Sequence, residues 1–296
     1  MIINQQTIQA LTTNFKTVFN KAFDETKPQY PLVAMEVPSV ASDENYAWLG
    51  ELPSMREWVG ERVIQNLTAH SYTIKNKDYE STIAVKKNDI QDDRIGIYKP
   101  LIQDLAQSAK LHPDELVFGL LAQGFTKKCY DGKPFFAEDH PFIEGKTQSN
   151  KGTKKLSHTS YGEARAKMMA IKGSNNKSLK IIPDLLVVAP QNEAIAREIL
   201  FTDQINGTTN IYKDTAELLV SPELADYPDQ WYLLCTKRAI KPLVFQNRQA
   251  PNFVAMTNES DDNVFFRKEY IYGVDSRCNA GYGLWQLAYG STGELE

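Results

Sequence analysis

Residues 46–93, YAWLGELPSMREWVGERVIQNLTAHSYTIKNKDYESTIAVKKNDIQDD, lead almost directly into residues 97–125, IYKPLIQDLAQSAKLHPDELVFGLLAQGF. The first stretch holds two strand-like runs, 62–67 and 79–85. In the second of these Tyr79, Ser81, Ile83 and Val85 alternate with polar neighbours. Lys75, Asn76, Lys77 and Asp78 supply polar turn material between the runs. A hairpin this long, rich in Lys, Asp, Glu and Asn, buries too little apolar surface to stand alone in water. It has to lie on something, which suggests an arm built for a neighbouring subunit. The second stretch sets Leu101, Ile102, Leu105, Ala106 and Ala109 on one helical stripe, and Leu116, Val117, Leu120, Leu121 and Phe125 continue it. Between them, His112-Pro113-Asp114-Glu115 removes a backbone donor and places acids where a helix start favours them. One long kinked helix, or two in series, is expected here. It ends at Lys127, Lys128 and Gly132.

Composition sets the outer limits. The 296 residues can hold two domains, or one domain with large insertions. Hydrophobic residues make up 42% and charged residues 24%, enough for a sizeable core. A formal net charge of -4 argues against a protein whose main task is to coat nucleic acid. The longest apolar runs, such as IIPDLLVVAP, fall well short of the ~20 residues of a membrane span. The N-terminus MIINQQTIQALTTNFKTVF lacks a basic start followed by an apolar core, so a cytosolic chain is expected. Cys129, Cys235 and Cys278 are odd in number and widely spaced, which suits reduced, semi-buried thiols better than disulfides.

The remainder reads as α+β. Ile8, Leu11, Phe15, Val18, Phe19 and Phe23 predict an amphipathic N-terminal helix, broken by Pro28 and Pro31. That helix is packed locally or lent to a neighbour. Residues 145–160, GKTQSNKGTKKLSHTS, read as a flexible loop, and SYGEARAKMMAIKG as a short helix. LKIIPDLLVVAP predicts a buried strand with the helix QNEAIAREILF after it, and strands recur in TNIYKDTAELLVSP, DQWYLLCT and IKPLVFQN. The C-terminal NVFFRKEYIYGVDSRCNAGYGLWQLAYG predicts a β-hairpin turning at Asn-Ala-Gly-Tyr-Gly.

Candidate chemistry is sparse. FFAEDHP sets Glu138, Asp139 and His140 side by side, but adjacent residues point in different directions, and a polar loop stiffened by Pro141 is the expected reading. Gly281 and Gly283 read as turn glycines, because no helix start follows them. There is no G-x-S-x-G elbow, P-loop or H-E-x-x-H motif. Lys146, Lys151, Lys154 and Lys155 lack the interleaved aromatics of a nucleic-acid surface and read as a solvated loop. Arg56, Glu57, Trp58, Glu61 and Arg62 are different in kind. A Trp flanked by opposite charges at a hairpin base is the pattern of an inter-subunit anchor with a charged rim, although the same Trp could cover the chain's own core.

Three segments carry a family resemblance: MREWVGERVIQNLTAHSYTIKNKDYESTIAVKKNDIQDD, AKLHPDELVFGLLAQGFTKKCYDGKPFFAEDHP and FRKEYIYGVDSRCNAGYGLWQLAYGS. They resemble the major head subunit of Mu-like phages and prophages, in order and spacing, from residue 2 to 292 and most weakly across 143–160 and 200–230. The resemblance implies an α+β Hong Kong 97-type capsid fold. Its parts would be an N-terminal arm at 1–40, an extended loop at 41–92, a peripheral domain with a long spine helix at 93–179, an axial domain at 180–240, and a return to the peripheral domain at 241–296. It implies no catalytic, cofactor or metal residue, and a function of self-assembly into an icosahedral shell around phage DNA. The implied partners are many copies of the chain in hexamers and pentamers, a separate scaffold protein and portal during assembly, and packaged double-stranded DNA held without sequence specificity. No membrane is involved, and the place would be the virion, assembled in the bacterial host cytoplasm. A separate scaffold is expected because the chain begins at the arm, with no acidic or coiled-coil prefix. Two rival readings are a prophage-derived or cellular nanocompartment of the same fold, and a soluble enzyme working through the His140 loop.

Overall fold

In the computed structural model, residues 4–46, 72–92, 94–143, 145–173, 175–205 and 207–295 are described. The chain opens with helix α1 (Gln5–Glu25), whose start is capped by the Asn4 side chain accepting the Thr7 backbone N–H at 2.8 Å. A short α2 (Tyr30–Val33) leads into β1 (Ala34–Pro38) and β2 (Asp43–Asn45). After residues 47–71 come β3 (Thr73–Lys75), β4 (Lys77–Lys86) and α3 (Lys87–Gln91). The spine α4 (Lys99–Gln123) is one continuous helix with Pro113 inside it. Then follow β5 (His140–Ile143), β6 (Lys146–Gln148), β7 (Lys151–Lys154), α5 (His158–Ala170), β8 (Leu185–Val188) and α6 (Glu193–Phe201). The last part comprises β9 (Gln204–Ile205), β10 (Thr208–Thr209), β11 (Glu217–Val220), β12 (Trp231–Leu234), β13 (Leu243–Met256), α7 (Asp262–Arg267), β14 (Glu269–Tyr282) and β15 (Ala288–Leu295). No described helix is long and apolar enough to cross a membrane.

Two sheets organise these elements. The peripheral sheet runs β1-β13-β14-β4, with β1 parallel to β13 and the other pairs antiparallel. The axial sheet runs β11-β8-β12-β15-β7. Every residue of β8 (LLVV) and β12 (WYLL) is buried, so these strands are covered on both faces and read as continuous apolar runs. The peripheral strands instead alternate. Tyr79, Ile83 and Val85 of β4 and Tyr270, Tyr272 and Val274 of β14 turn towards the helices, while their neighbours, Gly273 excepted, stay more exposed.

The hydrophobic interior divides in two, but not along the sheets. One cluster joins the axial sheet, α5, α6 and the second half of the spine to β1 and the near ends of β13 and β14. The other joins α1, the first half of the spine and the far ends of β4, β13 and β14. Helix α1 packs on its own chain: Phe15 meets Tyr272 edge-on at 5.0 Å, and Phe19 lies 5.2 Å from Phe253. The buried face of the spine is Ile102, Leu105, Ala106, Val117, Phe118, Leu121 and Ala122. Leu116 and Leu120 are only half-buried and Leu101 is exposed, so the stripe is rotated by about one position from the sequence expectation.

Three expectations are corrected. The segment NVFFRK is helix α7, and β14 runs unbroken through Asn279-Ala280-Gly281-Tyr282 before a single 3₁₀ turn, Trp285–Leu287, delivers the chain to β15 in the other sheet. The glycines there serve close approach. A Cβ at Gly281 would collide with the Ile74 side chain, and one at Gly283 would lie 2.7 Å from the Lys241 carbonyl oxygen. Residues 145–160 are structured, with β7 pairing parallel to β15 and the side chains of Lys151 and Lys154 meeting Glu138 at 3.8 Å and Glu163 at 2.8 Å. Strand β4 is hydrogen-bonded along its whole length to β14, as the edge strand of the peripheral sheet.

Candidate assembly surfaces and buried pins

Tyr46 and Tyr72, which flank residues 47–71, are clamped together. The Tyr46 backbone N–H donates to the Tyr72 carbonyl at 2.8 Å, and the Tyr46 hydroxyl donates to Gln246 Oε1 at 2.9 Å. The buried Gln246 amide in turn donates to the Ile74 carbonyl at 3.2 Å and to Asn76 Oδ1 at 2.7 Å. Asn76 donates to Ser39 Oγ and to the Ala41 carbonyl at 2.9 and 2.8 Å. The Tyr72 hydroxyl accepts the Tyr282 N–H at 2.9 Å. Burial pushes both the Tyr46 and Tyr72 hydroxyls up to about 12, so they remain neutral donors and acceptors at physiological pH. The two chain positions that flank 47–71 are therefore held together. Arg56, Glu57, Trp58, Glu61 and Arg62 fall within 47–71, outside the described residues.

A second pin joins arm to spine. Asp114 is buried on α4 and accepts the Gln29 N–H at 3.0 and 2.9 Å and the Tyr30 N–H at 2.6 Å, capping the start of α2. Burial raises its carboxyl above the ordinary carboxylate range, with the two backbone donors pulling the other way. Pro113 therefore sits beside a carboxylate that holds the turn after Pro28.

The third pin corrects the reading of His140 as part of a polar loop. Its ring is fully buried at 0% exposure and stacks on Trp285 at 4.0 Å with 6° between the planes. Nδ1 lies 2.6 Å from Asp131 Oδ2, and Nε2 lies 3.1 Å from Asn150 Oδ1. Burial would raise the Asp131 carboxyl, but the His140 hydrogen bond and charge outweigh it and hold it below the usual range. Glu138 and Asp139, its sequence neighbours, face away: Asp139 pairs with Lys133 and Glu138 with Lys151. Sequence reading missed Asp131 and Asn150. The signal that could have found the first is the Asp131-Gly132 turn, with Gly132 at φ +80 folding the chain back towards His140. The Cys129 thiol, beside Asp131, is driven far up by burial and then by that carboxylate, the wrong direction for a nucleophile. Cys235 and Cys278 are likewise free and buried.

The fourth feature is exposed. On α7, Phe265 and Phe266 are 73% and 74% exposed with their rings edge-on at 5.0 Å. Asn263 holds the tip by donating to the Met256 and Glu269 carbonyls at 3.0 and 2.7 Å.

A long helix under a one-sided sheet, a second sheet whose central strands are fully buried, and apolar residues left open match the Hong Kong 97-type capsid fold. The procapsid of bacteriophage JBD30 has the same architecture: its subunit is 36% identical, the match covers 99% of this chain and 77% of that one, and the TM-score is 0.65. The family model of the Mu-like prophage major head subunit gpT matches residues 8–154, 149–224 and 225–296, and the chain belongs to that family. The major capsid protein of Escherichia phage Mu is 33% identical over 295 residues, covering 100% of this chain and 76% of the relative. The Mu-like prophage FluMu major head subunit of Haemophilus influenzae is 32% identical over 288 residues, covering 97% and 74%.

Proposed function

We propose that many copies of this major capsid subunit, as hexamers and pentamers, close an icosahedral shell around phage DNA. The observation that supports this most directly is the family match along almost the whole chain, together with a procapsid subunit of the same fold. Residues 1–40 act as the arm, 41–92 as the extended loop whose returning strand β4 is also the sheet edge, 93–179 and 241–296 as the peripheral domain, and 180–240 as the axial domain. Arg56, Glu57, Trp58, Glu61 and Arg62 form an inter-subunit contact at the loop base. Two opposite-charge pairs beside an aromatic suit a contact that is specific in register yet reversible during assembly. A scaffold protein and a portal act during assembly in the host cytoplasm. The net charge of -4 suits a wall that confines double-stranded DNA without gripping it. The chain has no catalytic role, and the raised Cys129 thiol and buried His140 support that reading.

Electron microscopy of particles made by co-expressing the chain with its scaffold tests the reading. Closed shells are expected, and Arg62→Glu is expected to block or misdirect them while the isolated subunit keeps its stability. A chain that stays monomeric beside its scaffold and turns over a substrate would overturn it. Particles that enclose a cellular enzyme in place of DNA would favour a nanocompartment.

A further inference from the structure

The amide of Asn150 fixes a hydrogen on His140. Its Nδ2 donates to three carbonyl oxygens, those of Phe135 at 2.8 Å, Trp285 at 3.2 Å and Ala288 at 3.1 Å. Its Oδ1 accepts the Ala137 backbone N–H at 2.9 Å. Rotating the amide would set an oxygen against three oxygens and an NH₂ against an N–H, so the orientation is forced. The atom 3.1 Å from His140 Nε2 is therefore an acceptor, and Nε2 carries the hydrogen. That leaves Nδ1 facing Asp131 Oδ2 at 2.6 Å, while Asp131 Oδ1 already accepts the Lys133 N–H at 3.0 Å and the Cys129 thiol at 3.1 Å. A ring lone pair and a carboxylate at that distance need a positive centre between them. A proton shared between the two atoms can fill this place, and so can a metal ion.

We propose that Cys129, Asp131 and His140 form a binding site for a divalent cation of the zinc class, which locks the turn after the spine helix to the start of β5, where His140 stacks on Trp285. The sulfur, ring nitrogen and carboxylate oxygen all lie within 4.8 Å of one another and belong to buried or half-buried residues. One sulfur, one nitrogen and one oxygen donor select a borderline-soft ion over magnesium or calcium, which take oxygen alone. The thiolate and the carboxylate balance the ion's two charges, so the loaded site is neutral and tolerates its burial. Asn150 performs the outer-shell task of a metal-bound histidine: it takes the hydrogen of the far ring nitrogen and so aims the near one. Loading forms metal–sulfur, metal–nitrogen and metal–oxygen bonds and releases two protons, one from the Cys129 thiol and the one held between His140 Nδ1 and Asp131 Oδ2, with no change of oxidation state. The 2.6 Å approach of Nδ1 to Asp131 has to open, because two ligands about 2 Å from a tetrahedral ion lie roughly 3.3 Å apart. Three side chains leave one tetrahedral position for a further ligand.

The test uses the untagged full-length subunit, stripped with chelator and titrated with Co²⁺. A thiolate-to-cobalt charge-transfer band saturating at one ion per chain, with two protons released per ion, is expected. The band should vanish in Cys129→Ser and persist when Cys235 and Cys278 are both replaced by Ser. Asn150→Ser should weaken binding by about 10–100-fold through loss of ring orientation. Native mass spectrometry of the wild type with Zn²⁺, expected to show one zinc less two protons, keeps the test decisive if a variant fails to fold. A wild type that takes up neither ion, or a cobalt band that survives Cys129→Ser, overturns the proposal.

Discussion

The axial and peripheral sheets are built from similar residues but finished differently. In the axial sheet β8 and β12 are buried on both faces, and several polar groups beside them are tied down: Asp184 accepts the Thr236 N–H at 2.9 Å and the Lys237 N–H at 3.1 Å, and Trp231 donates to the Lys154 carbonyl at 2.9 Å. The peripheral sheet is covered on one face by α1 and α4, and its strands end at a tip that leaves Val254, Met256, Phe265 and Phe266 exposed. A subunit that completes itself everywhere has nothing left with which to build. The doubly buried strands β8 and β12 are completed within the chain, and the peripheral tip presents apolar surface that other copies can cover.

The sharpest break in that comparison comes from the axial side. Trp231→Ala removes a fully buried indole and its hydrogen bond, and a loss of about 3–5 kcal/mol or a chain that does not fold is expected by chemical denaturation. Next comes the spine, where two adjacent leucines separate its faces. Leu121→Ala should cost about 2–5 kcal/mol and half-buried Leu120→Ala only about 1–2 kcal/mol. Equal costs would mean that the helix is rotated from the position described. On the tip, Phe265→Ser with Phe266→Ser should move subunit stability by under about 0.5 kcal/mol while lowering particle yield. The smallest effect on folding is expected from replacing residues 47–71 with a short Gly/Ser linker: thermal unfolding stays cooperative and particles disappear. The cut has to stop before Tyr72, since Tyr72 and β4 are hydrogen-bonded into the body.

Much of the fold was legible in residue spacing. The arm helix, the spine and the buried run at Leu185–Val188 follow from local periodicity, because each buries a face set by its own sequence. The errors lie where distant partners decide. Lys151–Lys154 has weak strand propensity and becomes a strand because β15 offers it a parallel edge. Gly281 and Gly283 looked like turn residues, yet they let Ile74 and the backbone at Lys241 approach a continuing path. His140 was visible as a candidate, but its partners Asp131 and Asn150 are brought in by a turn and by another strand edge. Of the loop-base cluster, the sequence could supply the charge pattern around Trp58 and nothing about what it meets.

Hydrogen–deuterium exchange of the free subunit against the assembled shell tests the central claim most directly. The axial strands β8 and β12 should be equally protected in both, since their partners are within the chain. The α7 tip and the edge strand β4 should gain protection on assembly. Protection gained in the axial strands, with the tip and β4 unchanged, would contradict the division of labour between the two sheets.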